Sequence, residues 1–465
     1  MNKKIRNMEQ LLSDGDISSR KMVLTLMEEV LRELDAGNRI KEILRLEGDI
    51  LHVGQLRIDL KEKDNIYLIG AGKACNAMAQ AVCEVLGERL TKGIISVKIA
   101  EPEDRYTKTE VFVSGHPLPD ESSVAAAEAT LKLVDSAGEG DLFISVISGG
   151  SSALYSAPIQ GITPAEEREA TRLLLESGAK IEEINAVRRH ISLVNGGNLA
   201  KRILARGAQL VNLIISDGVG NGGEIHRDLP VGFFGTPIAP DKTTLKDARD
   251  AITNYNLKSV MAESIVKYLW SEKAEETPKL LNGNVTNFLL DRVPESCIAA
   301  IKAAGRMGVN AYILTTFIEG ESKEAGMVFS SIAREAYAHD YVFQTPCFIL
   351  ASGETTTCIE GEPSGTGGPS QEMVLGFAMG IQDFPGICMA SIDSEGTDGT
   401  TVFAGGIVDS QTVKRLEEQG ISVHEALRNH SSCEALKSIG DNIFTGNTGT
   451  NVCDFDVAYI PDGRK

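Results

Sequence analysis

The run IYLIGAGKA at residues 66–74 decides the fold: a short apolar segment leads directly into a glycine-rich turn, with no polar residue alternating along it. A strand that is apolar on both sides must be covered on both faces, which is the condition of a parallel sheet flanked by helices. The same signature recurs at GIISVKIA (93–100), VFVSG (111–115), LFISVISGG (142–150) and LVNLIISD (210–217), with segments of helical character between them. Helix signals fall where that scheme needs them. Asp120 can cap a helix from Glu121 to about Ala137, and Thr163-Pro164 with Glu166 makes a cap, a first-turn proline and a capping box. The first half therefore reads as α/β, a Rossmann-like doubly wound domain.

Working outward, residues 1–60 have a helical pattern, with Met22, Leu26, Val30 and Leu34 recurring every four positions as in a docking helix. A second series begins near residue 255, with helices expected at 256–272 and 295–307 and strands at NAYILTT (310–316), CFILASG (347–353) and ICMASID (387–393). This implies a smaller α/β C-terminal domain. The expected division is 1–254 and 255–465, with the boundary near GTPIAPDKTT (235–244) and a charged helix at 245–252 following it. No internal repeat is visible.

A length of 465 residues suits two domains, and 42% hydrophobic with 24% charged residues is ordinary globular composition. The formal charge of −19 argues against a nucleic-acid partner, because that affinity comes from clustered lysine and arginine. No apolar run approaches the ~20 residues of a membrane span, and the N-terminus has no apolar segment of a secretory signal. The expected location is the cytoplasm, without a membrane partner. Eight scattered cysteines lack C-x-x-C or zinc-site spacing and read as reduced thiols. A homodimer is the base-rate expectation for assembly.

Ligands of open α/β sheets bind beyond the carboxyl ends of strands, so the glycine-rich turns there are the candidates. Gly70 and Gly72 allow a tight exit from the first strand, and Lys73 then lies at the start of a helix, a position suited to a phosphate or carboxylate. Cys75 replaces the third glycine of a dinucleotide fingerprint, and a bare G-x-G is as often a structural turn. Ser148, Gly149, Gly150, Ser151 and Ser152 in SGGSSAL can present amides and hydroxyls to an anion, or form a plain flexible turn. Asp217 ends a strand beside glycines and can hold Mg²⁺ directly or through water, or simply cap its loop. Four loops of the second half read as a ligand-facing rim: SGETTT (352–357), SGTGGPSQE (364–372), SEGTDGT (394–400) and GDNIFTGNTGTNV (440–452). His116 and His190 could serve as acid or base, or as hydrogen-bonded structural histidines, the reading the pattern favours. No nucleophile elbow, zinc-protease motif or Walker sequence is present, so an ATP site would not be of the P-loop kind.

Taken in order, GAGKA (70–74), SGHPLPDE (114–121), ISGGSSAL (147–154), INAVRRHIS (184–192), SDGVGN (216–221), PDKTT (240–244), EGESKEA (319–325), SGETT (352–356), GTDG (396–399) and TGNTGTNV (445–452) resemble the type 2 glycerate kinase family. The resemblance spans nearly the whole chain, and its C-terminal part, about 345–460, corresponds to the MOFRL region. It implies a cleft between the two domains, with ATP and Mg²⁺ used to phosphorylate the 2-hydroxyl of D-glycerate or a related hydroxy acid. Lys73 matches the lysine expected in catalysis, Asp217 the strand-end acid, expected to bind Mg²⁺, and 148–152 the substrate loop. His116, Arg188 and Arg189 are then expected on the acceptor, one of the arginines holding its carboxylate. Gly70, Gly72, Gly353, Glu354, Thr355, Gly367, Gly368, Gln371, Glu372, Asp398, Thr448 and Asn451 are expected on the nucleotide.

The chain also departs from the family pattern. Pro369 and Ser370 stand where arginine and asparagine are usual, and Ser151 replaces a glycine. Asn195 begins a segment that usually reads K-G-G, Gly220-Asn221 replaces G-D, and Val402 stands for an aspartate. A proline cannot act as a bidentate anion clamp, so anion recognition must use other residues. The departures imply a changed substrate or a changed reaction; a regulatory protein on a decayed scaffold and a hydroxypyruvate reductase are the alternatives.

Overall fold

A computed structural model of the chain describes residues 3–219, 237–359 and 365–463. The readings placed on Gly220, Asn221, 235–236 and Ser364 lie outside the described residues. The chain forms two compact units, one of 36–216 and 221–290, the other of 1–35, 217–220 and 291–465.

The first unit carries a six-stranded sheet in the order Thr109–Val113, Lys92–Val97, Ile66–Ala71, Leu142–Ile147, Gln209–Ile215, Val285–Asp291. The first five strands run parallel. Every residue of the three strands starting at Ile66, Leu142 and Gln209 is buried, which is why those segments read as unbroken apolar runs. Chain order proceeds outward from Ile66–Ala71 in one direction and from Leu142–Ile147 in the other, so the topological switch point lies between these two strands. Their register pairs Ala71 with Ile147, and the two following loops therefore leave the sheet side by side. Both expected caps are present: Asp120 accepts from Ser123 N at 2.8 Å, and Thr163 and Glu166 form the reciprocal box.

Three expectations need correction. Residues 44–59 form an antiparallel three-stranded meander, Leu44–Glu47, Ile50–Val53 and Leu56–Asp59, instead of continuing the helical pattern. LRLE, ILHV and LRID alternate with period two, and Gly48 and Gly54 take the positive φ of 61° and 57° that two-residue turns demand. The helix expected at 256–272 is broken into a turn at Leu257–Ser259 and a helix Glu263–Leu269: the left-handed Asn256 (φ 56°) precedes the turn, and Ala262 (φ −52°, ψ 134°) leaves the helical conformation between the two. Finally, the compact units divide at 290/291, not at 254/255. Helix Leu245–Asn254 packs on helix Ile181–His190, and Leu245, Ala248, Ile252, Ile265 and Leu269 share one apolar cluster with Leu174, Ile184 and Val187. That burial keeps residues 245–269 with the first unit, and Val285–Asp291 joins its sheet as the sixth strand, with Leu281, Val285 and Leu289 packed on the sheet's apolar cluster.

The second unit is built on a mixed sheet in the order Asn310–Ile318, Cys347–Gly353, Asp454–Ile460, Cys388–Asp393, Gly405–Asp409, Asn442–Ile443. Its first pair is parallel and the others antiparallel. Helix Ile17–Glu33 docks here, against helix Glu295–Met307 and the central strands, with Val23, Leu24, Leu26, Met27 and Val30 buried. Arg20 anchors it. The fully buried guanidinium donates from Nη1 and Nη2 to Asp441 at 2.7 and 2.8 Å and from Nε to Asp409. No helix among the described residues is long and apolar enough to cross a membrane.

Candidate functional site

At the switch point, glycine is required by contact as well as by conformation. A Cβ on Gly70 would lie 2.5 Å from Val146 Cγ2 and 2.8 Å from the buried Cys75 Sγ, and one on Gly72 (φ 141°) would lie 2.1 Å from Ser148 Oγ. The two loops can therefore touch. Lys73 N donates to Gly149 O (3.0 Å), Ala74 N to Ser148 Oγ (3.0 Å) and Ser148 N to Ala71 O (3.2 Å). Gly150 is left-handed (φ 82°), and a Cβ there would meet His116 Nε2 at 3.1 Å and Lys73 Cγ at 3.2 Å. Lys73, His116 and the loop from Ser148 to Gly150 are thus brought together beyond the carboxyl ends of adjacent parallel strands. Ser151 opens the short helix Ser151–Leu154, and Ser152 O accepts from Asn195 Nδ2 at 3.4 Å, so Asn195 ties the far side of the loop in place.

Cys75, where the dinucleotide fingerprint has glycine, is packing: burial pushes its thiol far above the usual range. A 440 Å³ groove lined in part by Lys92, Phe112, Glu128 and Lys132 belongs to the same unit. The groove runs along helix Glu121–Ser136 and the edge strand Thr109–Val113, and neither Lys73 nor His116 lines it.

Helix Ile181–His190 presents the remaining candidates. His190 is buried, with Nδ1 2.7 Å from Ala186 O and Nε2 3.4 Å from Glu276, a structural arrangement. Arg189 donates from Nη1 to the buried Asp241 at 2.8 Å, and Asp241 also accepts from Thr243 N (3.0 Å) and Thr277 Oγ1 (2.9 Å). Arg188 has no hydrogen bond or ion pair among the described residues, and burial lowers its affinity for the proton, with Glu167 acting in the opposite direction.

The rim of the second unit is differently occupied. Asp398 is buried and accepts from Ser370 N (3.1 Å) and Gln371 N (2.9 Å), so it takes the amides at the start of helix Pro369–Gly380. Burial pushes this carboxyl up to about 8, against the pull of those amides. Gly368 lets Asp398 in, since a Cβ would lie 2.3 Å from its Cγ, and Gly367 similarly faces Ser432 Oγ at 2.0 Å. Gln371 Nε2 donates to Thr401 Oγ1 (3.0 Å), and Glu372 Oε1 is 2.8 Å from His430 Nδ1. Gly353 sits where a Cβ would be 2.2 Å from Ile318 O, Glu354 N donates to that same oxygen (3.0 Å), and Thr355 N reaches Asp454 Oδ2 at 3.4 Å. Thr448 Oγ1 donates to Ser394 O, and Asn451 Nδ2 donates to Asp217 Oδ2 at 3.0 Å.

Sequence reasoning missed Asp454 and Asp456. Asp454 lies directly across from Asp393, and burial with the charge of Asp393 drives its carboxyl well above the usual range. Burial pushes Asp456 up to about 7, with Ser391 across the strand drawing it partly back. Two acids in the otherwise apolar CDFDVAYI (453–460) were the available signal. Among the described residues no three His, Cys, Asp or Glu side chains gather into a metal cage. Mg²⁺ commonly takes only one or two carboxylates beside phosphate and water, and Asp217, with one oxygen engaged by Asn451, fits that partial role.

Two family models match: a domain of unknown function, DUF4147, over residues 22–270, and the MOFRL family over 347–454. Glycerate 2-kinase of Pyrococcus horikoshii is 38% identical over 448 residues, covering 96% of this chain and 98% of that protein. An Agrobacterium vitis protein provisionally named hydroxypyruvate reductase is 34% identical over 395 residues, covering 84% of this chain and 98% of its own. The crystal structure of glycerate kinase from Thermotoga maritima superposes with a TM-score of 0.77 at 32% identity, covering 96% of this chain and 100% of that one. With the switch-point loops described above and matches of this extent, the chain belongs to the glycerate kinase family.

Proposed function

We propose that this protein is a glycerate kinase, transferring the γ-phosphoryl group of ATP to the 2-hydroxyl of D-glycerate or a closely related hydroxy acid. The observation that carries this reading is the convergence of Lys73 and His116 on Gly150 at the switch point. Phosphoryl transfer needs positioning and neutralisation of charge more than covalent help. Lys73 supplies a cation to the phosphoryl group in transfer. Ser148, Gly149, Gly150, Ser151 and Ser152 hold the acceptor, and His116 orients its hydroxyl.

Asp217 holds Mg²⁺, which when bound neutralises phosphate charge. Gly70 and Gly72 shape the turn carrying Lys73, while Glu354, Thr355, Thr448 and Asn451 serve the nucleotide. Gly353, Gly367, Gly368, Gln371, Glu372 and Asp398 serve it by maintaining loop shape. Eight free cysteines suit a reducing cytoplasm, and a homodimer completes the reading.

The test is ADP release from magnesium ATP with D-glycerate, L-glycerate, erythronate and threonate, beside NADH oxidation with hydroxypyruvate. Turnover with D-glycerate is expected. Turnover only with a longer acid would move the specificity, and NADH oxidation without ADP release would replace the kinase reading by the reductase name its Agrobacterium relative carries.

A further inference from the structure

We infer that the open edge of the mixed sheet, with the two helices that flank it, is the surface on which a second copy of this chain docks about a two-fold axis; the inference rests on the homodimer of the reading above and gives it a place on the molecule. Strand Asn310–Ile318 ends the sheet order and has a strand neighbour on one side only among the described residues. Its nine residues, NAYILTTFI, include no charge and no proline, in a chain of which 24% is charged. Edge strands of proteins that stay single are guarded by lysine, proline or an inward-pointing charge. The register against Cys347–Gly353 slips after Ile313 and again after Thr315, which interrupts regular backbone pairing, so side chains carry the contact.

The side chains around this edge are apolar and exposed. Ile318 packs into the cluster beneath helix Ser322–His339, so Phe317 beside it points to the opposite face, where it is 54% exposed. Ile313 pairs with Leu350, the neighbour of Ile349 in that cluster, and shares the face of Phe317. Helix Glu295–Met307 covers the two outer strands on this face, and helix Ile17–Glu33 lies inward of it over the central strands. Lys302 and Arg306 reach inward to Glu33 (3.1 Å) and Glu29 (2.8 Å). Ile301, about 140° around the helix from Arg306, and Ile298 one turn before it therefore turn toward the edge, both exposed. On the other face, helix Ser322–His339 meets helix Pro369–Gly380 at Gly326, where a Cβ would lie 2.1 Å from Met373 O. Val328, about 200° farther round, is exposed on the flank turned from that contact. Single exposed apolar residues are ordinary, but a group of them around one uncharged edge marks an interaction surface.

The charges at the two ends of the strand fit a second copy. Lys302 and Arg306 precede it, Glu319 and Glu324 follow it, and all four are exposed. A two-fold axis runs two copies of the strand antiparallel and brings the acidic end of each to the basic end of the other, whereas parallel packing would set like charges together. Beside Glu33 and Glu29 the side chains of Lys302 and Arg306 stay 57% and 56% exposed, open to a further acid. A formal charge of −19 makes copies of the chain repel one another, so an edge without an acid at its centre is where two can approach. Because the same patch serves both partners, the assembly closes at two.

The experiment follows the sedimentation velocity of the full chain over a concentration series for the wild type, F317E, I301E and V260E, with circular dichroism and ADP release recorded in parallel. Val260 is similarly exposed but belongs to the other unit. The wild type and V260E are expected to dimerise at micromolar concentration, while F317E and I301E stay folded and raise the dimer dissociation constant at least about 30-fold. Should F317E fail to fold, I301E, on the helix surface, decides alone. A dimer that survives both F317E and I301E overturns this surface and leaves the homodimer standing. A wild type that stays monomeric at its highest soluble concentration, or one that grows beyond two copies, overturns the surface and the homodimer together. ADP release with D-glycerate reports the kinase reading separately from either result.

Discussion

The switch-point loops of the parallel-sheet unit and the rim loops of the mixed-sheet unit look alike as sequence, both rich in glycine, serine and acid. Their structures differ. In the first, Gly70, Gly72 and Gly150 bring backbone so close that Lys73 and His116 converge. In the second, the same kinds of residue are taken up only in part: Asp398 takes the amides of Ser370 and Gln371, Gln371 reaches Thr401 and Glu372 faces His430, while Ser370 Oγ, Gln371 Oε1 and Glu372 Oε2 stay buried without a hydrogen-bond partner among the described residues. A glycine-rich loop reports a demand of the backbone. By itself it does not report a ligand.

This comparison predicts that substitutions in the two regions act on different quantities. The largest effect is expected for Lys73→Ala, which should lower kcat on the order of 10³-fold with the fold and melting temperature nearly unchanged. Full activity in that variant would remove the switch point from the chemistry. Next, Asp398→Ala leaves two buried amides without an acceptor and should cost about 2–3 kcal/mol of stability by denaturant unfolding, with a smaller loss in kcat per folded molecule. A stable but inactive D398A would return the helix start at Pro369 to direct ligand contact.

The smallest effect tests the buried acids of the mixed-sheet unit. Asp456 keeps its proton up to about pH 7 in the folded chain, whereas in the unfolded chain an aspartate ionises near pH ~3.9. Between those values the folded state binds the extra proton, so stability falls as pH rises. D456N cannot ionise and should gain on the wild type from pH 4 to 7, by at most about 1.4 kcal/mol per unit. A difference independent of pH would mean that Asp456 is ionised when folded.

Much of the fold was legible because it is written locally. Fully buried strands have no polar alternation, the caps at Asp120 and Thr163 sit one turn from what they cap, and Lys73 follows its strand by two residues. The meander at 44–59 was equally local, its period of two hidden by the helical pattern read before it. The unit boundary was not legible, because it depends on where Leu245, Ile252 and Ile265 find apolar partners, among them Leu174 and Ile184.

The sequence by itself determined the parallel sheet, the turns that leave it and the family to which the chain belongs, since hydrophobic burial and backbone conformation leave their marks within a few residues. Only the tertiary structure decided which polar groups are consumed and which remain for chemistry. Arg20 finds Asp409 and Asp441 some 400 residues away, and Arg189 finds Asp241 while Arg188 beside it finds no such partner among the described residues. The energy of a buried charge depends on its neighbours in space, and chain order carries no record of them.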